Sequence, residues 1–314
     1  MMKVLFAGNK ERGISCLSVV KEKYKVVGVI GHKKTNKTNH FVDEAKKMGF
    51  KVFQPENVNN QNFIKEIKAL APDITILAGY GPIVKRDFIS LSKYGCINLH
   101  GGKLPKYRGS SPMNWALING DKNFTISIIQ VDVGVDTGSV LIEKTFPIND
   151  NDTIAELHQV ANENFPELLI KILNQIEKRT LKPKIQNMEE SSYYPLRFPE
   201  DGLVFFDQLK AEEINNRVRA LTSPYPGVLT YYNNKKVKIL KSRLTETPFF
   251  GEAGRIYRIS KKMGILVCAK DRCLWLEEIV DSEKAENCMD IFSRYNKMAT
   301  IKEAAEKLYA NPKN

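Results

Sequence analysis

The first hundred residues alternate between two hydrophobic periods, and that alternation restricts the fold more than any other feature of the chain. Residues 3–7 (KVLFA), 25–31 (KVVGVIG), 73–81 (DITILAGYG) and 96–101 (CINLHG) are short apolar runs, the pattern of strands buried on both faces. Between them SCLSVVKEKY, NHFVDEAKKMG, NQNFIKEIKALAP and VKRDFISLSKYG have helical spacing, and KVFQP reads as a short strand stopped by proline. Strands alternating with helices predict an α/β fold built on a doubly wound, mostly parallel sheet, a Rossmann-like core. Such sheets bind ligands beyond the carboxyl ends of their strands.

The pattern then changes. FTISIIQVD and SVLIEKTFPI read as two strands around the turn VGVDTG, and residues 153–178 as a long amphipathic helix. RTLKPKIQNMEESSYYPLRFPEDG has three prolines and little periodicity, as a linker would. Beyond it lie a helix (KAEEINNRVRAL) and the short strands KKVKILKSRL, GRIYRISKKMGILVCAK and CLWLEEIV, which predict a small β-barrel-like domain. Residues 290–309 read as helical. The expected organisation is a catalytic domain over 1–182, a linker over 183–202 and a smaller C-terminal domain over 203–314.

Composition limits the class of protein. Hydrophobic residues at 42% and charged residues at 27% suit a soluble globular chain, and 314 residues bury a large core without staples. No apolar run approaches the roughly 20 residues of a membrane helix. The N-terminal apolar run is too short for a signal peptide, so a cytoplasmic protein with no membrane partner is expected. The cysteines (Cys16, Cys96, Cys268, Cys273, Cys288) form no CxxC pair and are read as reduced thiols, with no metal site expected. The net charge of +12 attracts polyanions such as tRNA, a nucleotide sugar or a polyglutamylated cofactor.

Chemistry concentrates at NLHGGKLPKYRG, residues 98–109. Asn98 and His100 are two apart at a strand end and so share a face. An amide donor beside an imidazole suits stabilisation of an oxyanion and handling of a proton. Gly101 and Gly102 remove side-chain bulk and are read as clearance for a substrate. The missing carboxylate is available in DVGVDTG, which supplies Asp132 and Asp136. Each piece alone is an ordinary turn. There is no GxSxG nucleophile elbow and no Walker lysine, and FAGNKERG lacks the full GxGxxG fingerprint.

Taken together, CINLHGGKLPKYRGSSPMNWALINGD and VDVGVDTGSVL resemble the folate-dependent formyltransferase family, whose core is Asn-x-His, a Leu-Pro-x-x-Arg-Gly loop and an Asp-x-Gly turn. The resemblance covers most of residues 1–245 and fades after about 250. It implies transfer of a formyl group from 10-formyltetrahydrofolate to a primary amine. It implies Asn98, His100 and Asp136 as the catalytic set, with Asn98 and a protonated His100 donating to the formyl oxygen and Asp136 orienting or charging His100. It places Tyr80, Gly81, Pro82 and Ile83, with Asp132, at the cofactor, and Gly101, Gly102 and Arg108 at the substrate.

Two amines compete for the site. YRGSSPMNWALINGD and RFPEDG look closer to the sugar-nucleotide N-formyltransferases, which leads to an expected dTDP- or UDP-linked amino sugar of polysaccharide biosynthesis and a homodimer. The alternative is methionyl-tRNA, supported by VDVGVDTG and by the short basic segment GHKKTNKTNH, though GNKERG replaces the Thr-Pro-Asp-Phe of many tRNA enzymes. A remote alternative is a binding module that has lost catalysis.

Overall fold

The computed structural model describes residues 1–35 and 39–310; residues 36–38 of the segment GHKKTNKTNH lie outside the described residues. Contacts divide the chain into two units. The first comprises Met1–Pro112, Asn123–Pro147 and His158–Pro195. The second comprises Met113–Lys122, Ile148–Leu157 and Leu196–Asn314.

In the first unit β1 (Lys3–Gly8), β2 (Lys25–Ile30), β3 (Val52–Phe53), β4 (Ile74–Ala78) and β5 (Cys96–His100) run parallel. Two short pieces, β6 (Arg108–Gly109) and β9 (Tyr193–Tyr194), pair with each other. The hairpin β7 (Asn123–Gln130) and β8 (Val140–Pro147) joins β5 antiparallel, giving one seven-stranded sheet in the order β3-β2-β1-β4-β5-β7-β8. This is the expected doubly wound, mostly parallel sheet, and its order reverses between β1 and β4.

Both faces of the sheet are covered. Leu5 and Ala7 of β1 join Phe53, Ile67, Leu77 and Phe88 in one buried cluster, while the intervening Phe6 meets Phe41 on the other face. The helices of this unit are α1 (Lys10–Lys23), α2 (His40–Lys47), α3 (Gln61–Lys68), the single turn α4 (Arg86–Ile89) and α6 (Ile154–Glu177) from His158 onward, while α5 (Pro112–Ile118) belongs from Met113 to the second unit. Local signals set their ends. The Asn39 and Asn60 side chains accept backbone N–H bonds at the starts of α2 and α3, and Gly49, at φ 85°, follows α2 as a left-handed stop. VKRDFISLSKYG is helical only over α4. Its serines favour other partners, and Ser92 bonds Thr75 on β4 at 2.7 Å. The sequence reading has no helix at α5, although Pro112 at its first position is a starting signal.

The second unit holds α7 (Ala211–Leu221) and an antiparallel sheet of β10 (Val228–Tyr232), β11 (Lys235–Leu244), β12 (Ile256–Ser260), β13 (Gly264–Cys268) and β14 (Cys273–Asp281), ordered β10-β11-β14-β13-β12. The expected helix over 290–309 is confined to one turn at Met289–Ile291 and α8 (Ile301–Ala310). Between them the chain turns at 294–295, and residues 296–299 serve both sheet edges. Ala299 N–H donates to Tyr231 O, and Met298 N–H donates to Gly254 O next to β12. Two open edges outcompeted the helical pattern, since unpaired strand edges need partners. No helix among the described residues is long and apolar enough to cross a membrane.

Gly13 shows how tightly α1 sits on this core. A Cβ there would lie 2.7 Å from the ring of the fully buried Phe41. Alanine normally stabilises a helix by about 1 kcal/mol over glycine. Here Gly13→Ala is expected to destabilise the protein by roughly 1–3 kcal/mol through overpacking, measured as a lower urea midpoint with unchanged slope.

Candidate functional site

β5 presents Asn98 and His100 on one face because alternate strand residues point the same way. His100 is buried and Asn98 half-buried. An oxygen faces each imidazole nitrogen. Its Nε2 lies 2.6 Å from the carbonyl oxygen of Tyr107, which only accepts, so Nε2 carries a proton. Its Nδ1 lies 3.5 Å from Oδ2 of Asp136. Nε2 is therefore taken by a backbone carbonyl, while Nδ1 faces the Asp136 carboxylate across a contact too long for a hydrogen bond, so the donation to a developing oxyanion expected of His100 would have to come from Nδ1. The Asn98 amide makes one long contact, 3.5 Å from Nδ2 to Asp136 Oδ1, and keeps donor capacity.

Asp136 arrives from the loop between β7 and β8. Because β7 runs antiparallel to β5 with Gln130 opposite Ile97, this loop starts beside the first half of β5 and folds back to Asn98 and His100. Asp136 has left-handed backbone, φ 51°, a conformation that aspartate tolerates better than most residues. Its Oδ2 accepts the Gly109 N–H at 2.9 Å. Gly109 itself sits at φ 97°, where a side chain would also strike the Tyr194 carbonyl, so the Arg-Gly end of the LPKYRG loop requires glycine.

The other expected site residues divide. Arg108 is 0% exposed. Its guanidinium donates to Gln186 Oε1 through Nε at 3.1 Å and Nη2 at 2.8 Å, to the Tyr193 hydroxyl at 3.1 Å and to Met188 Sδ at 3.2 Å. It supports the site from behind and does not face a substrate. Gly101 and Gly102 are also buried. A Cβ on Gly102 would lie 2.8 Å from His100 Nε2, 2.8 Å from Tyr107 Cβ and 2.7 Å from Pro112 Cβ, so its bareness makes room for the histidine ring and not for a ligand. Asp132 is exposed and closes its own turn, accepting from Gly134 N–H at 3.1 Å and Thr137 Oγ1 at 2.5 Å.

Tyr80–Ile83 follow β4, the parallel neighbour of β5 with Leu77 opposite Asn98, so both segments leave the sheet at the same edge. Gly81, Pro82 and Ile83 are exposed, whereas Tyr80 is buried against His32 and burial pushes its hydroxyl up to about 12. Ile83 O accepts from Asn59 Nδ2 at 2.9 Å, which fixes this loop. Of the other histidines, His158 stays neutral, its pKa held down to about 4 by burial and by Arg12 and Lys10. The site residue that the sequence reading missed is Gln186. It lies in the aperiodic 183–202 segment, where no spacing marks it.

Known proteins match the chain along most of its length. The family model "Formyl transferase" matches residues 3–173, and "Formyl transferase, C-terminal domain" matches 198–296. A methionyl-tRNA formyltransferase of Clostridium tetani is 33% identical over 306 residues, covering 95% of this chain and 98% of the relative. One from Clostridioides difficile is 31% identical over 307 residues, covering 95% and 98%. The crystal structure of an N-formyltransferase from Helicobacter canadensis, in complex with folinic acid and dTDP-3-aminofucose, superposes with a TM-score of 0.69 at 22% identity, covering 88% of this chain and 99% of that one.

The crowding at Gly102 gives a direct test of the site. Gly102→Ala is expected to push the His100 ring off the Tyr107 carbonyl and lower kcat by about 10²-fold, the typical cost of misplacing a reacting group by about 1 Å. Steady-state kinetics alongside a far-UV CD spectrum checks this, with the fold retained.

Proposed function

The chain belongs to the formyl transferase family, and we propose that within it the protein formylates the amino group of methionyl-tRNA, with 10-formyltetrahydrofolate as donor. The observation that carries the acceptor is the end-to-end likeness, at 33% identity, to a methionyl-tRNA formyltransferase. The sugar-linked complex is alike at 22% identity, a level that speaks for a shared fold. The expectation of a nucleotide-linked amino sugar therefore becomes the second reading. The net charge of +12 suits a polyanionic acceptor.

Attack of an amine on a formyl carbon places negative charge on the formyl oxygen, and the attacking nitrogen must lose a proton. In our reading Asn98 Nδ2 donates to that oxygen. Asp136 holds the arriving ammonium and takes its proton, while His100 faces the other carboxylate oxygen and shares the charge. The Tyr107 carbonyl and the Gly109 N–H keep His100 and Asp136 in register while this happens. The exposed apolar Ile83 and the Gly81–Pro82 backbone at the same sheet edge offer a surface for a flat pterin. The ammonium gives up two protons in all. Losing the first leaves a neutral amine able to attack. The second, taken by Asp136, would pass to the folate nitrogen as its bond to the formyl carbon breaks, so that bound 10-formyltetrahydrofolate would supply the formyl group and leave as neutral tetrahydrofolate.

Two experiments test this. His100→Asn is expected to lower kcat by about 10²-fold, the typical cost of misplacing a reacting group, here the Asp136 carboxylate, by about 1 Å, and unchanged turnover would remove His100 from the mechanism. Purified protein with 10-formyltetrahydrofolate is offered methionyl-tRNA in parallel with dTDP- and UDP-linked amino sugars. Formylated methionyl-tRNA is expected, with kcat/KM falling steeply as salt rises. Formylation of a sugar alone would overturn the acceptor assignment.

A further inference from the structure

We infer that Gln186 is a positioning residue for formyl transfer, fixing the left-handed turn that carries Asp136. The inference rests on the reading of Asp136 as the proton-handling carboxylate and goes beyond it to what sets the geometry of that carboxylate.

All hydrogen-bonding capacity of the Gln186 amide is in use. Nε2 donates to the carbonyl of Asp136 at 2.9 Å and to the carbonyl of Gly138 at 2.6 Å. Oε1 accepts from Arg108 Nε at 3.1 Å and Nη2 at 2.8 Å. Two donors and two acceptor sites are what a primary amide has. Gln186 is 8% exposed and Arg108 0%, so these bonds are made away from water, where an unpaired polar group is costly. Gln186 reaches the turn because Lys184 pairs with Val140, each donating to the other's carbonyl at 2.8 Å.

The clamp acts on both sides of the carboxylate. On one side Gln186 holds the two carbonyls that flank the Asp136 turn. On the other it holds Arg108, whose next residue, Gly109, donates its N–H to Asp136 Oδ2 at 2.9 Å. One side chain therefore sets both the turn that presents the carboxylate and the strand that receives it. Tyr193, whose ring lies 5.5 Å from the Arg108 guanidinium, completes the support.

Gln186→Glu separates positioning from simple structural support. A carboxylate keeps the buried Arg108 paired but has no N–H for the two carbonyls. It is expected to fold with a Tm lowered by several degrees, because two buried carbonyls lose their donor, while kcat falls by about tenfold or more and KM for 10-formyltetrahydrofolate stays within about threefold. Amide exchange on the protein without ligands provides a readout independent of the acceptor. Gly109 N–H is expected to exchange about tenfold faster, while Ser110 N–H, bonded to Tyr194 O at 2.9 Å, holds its rate. If Gln186→Glu does not fold, Gln186→Asn, neutral but one methylene short, is read in the same way. Native kcat with native Gly109 protection in a folded variant would overturn the inference. Asp136→Asn tells the two readings apart: unchanged turnover there removes Asp136 from the chemistry, while Gly109 exchange still reports on the clamp.

Discussion

One carboxylate joins the two halves of the site. Asp136 Oδ2 accepts the Gly109 N–H and faces His100 Nδ1, and its Oδ1 lies beside the Asn98 amide. Those three partners belong to β5 and to the loop that follows it, whereas Asp136 comes from the β7–β8 hairpin. Other features of the site follow from keeping this carboxylate in place. Gly109 takes a backbone conformation closed to other residues so that its N–H points inward. Gly102 stays bare so that the imidazole fits between the carboxylate and the Tyr107 carbonyl. With His100 Nε2 bonded to the Tyr107 carbonyl and Nδ1 facing the carboxylate, the ring is fixed beside Asp136, and Asn98 keeps donor capacity.

The parts of this arrangement that were legible in the sequence are those set by short-range periods. Apolar runs alternating with helical spacing specify a parallel sheet, and the two-residue period of a strand puts Asn98 and His100 on one face. The Asp- and Gly-rich turn between two strands offers Asp132 and Asp136 alike, and the resemblance to the formyltransferases singles out Asp136. What stayed hidden depends on contacts between distant segments. Arg108 has the look of a substrate ligand, but its guanidinium is fully buried against Gln186, 78 residues away in sequence. The extended piece at 296–299 carries a helical pattern, yet two open sheet edges claim its backbone.

The choice of acceptor shows the same divide. The lean toward sugar nucleotides rested on YRGSSPMNWALINGD and RFPEDG. Met113, Ala116, Leu117 and Ile118 in the first of these are buried, and Asn114 donates to Ala220 O at 2.8 Å. In the second, Asp201 accepts the Phe198 N–H at 2.7 Å and closes a turn. These residues maintain local structure, so likeness there reports packing more than the molecule being modified. Identity spread over the whole chain carries more weight, because it includes the surfaces that meet an acceptor.

The identity of residue 186 follows from physical needs that only an amide meets. Arg108 is buried with a neutral amide, a phenol and a thioether as its hydrogen-bond partners. A glutamate would give the guanidinium a counter-charge, yet it would direct a second carboxylate at the carbonyls of Asp136 and Gly138, setting acceptor against acceptor. A leucine would leave those two carbonyls and the guanidinium Nε unpaired, at roughly 1–3 kcal/mol for each buried group. The amide satisfies a cation on one side and two carbonyls on the other without adding charge beside the reactive carboxylate. Asp136 then remains the carboxylate that the site presents to an arriving ammonium, and its turn is held by hydrogen bonds from a neutral amide.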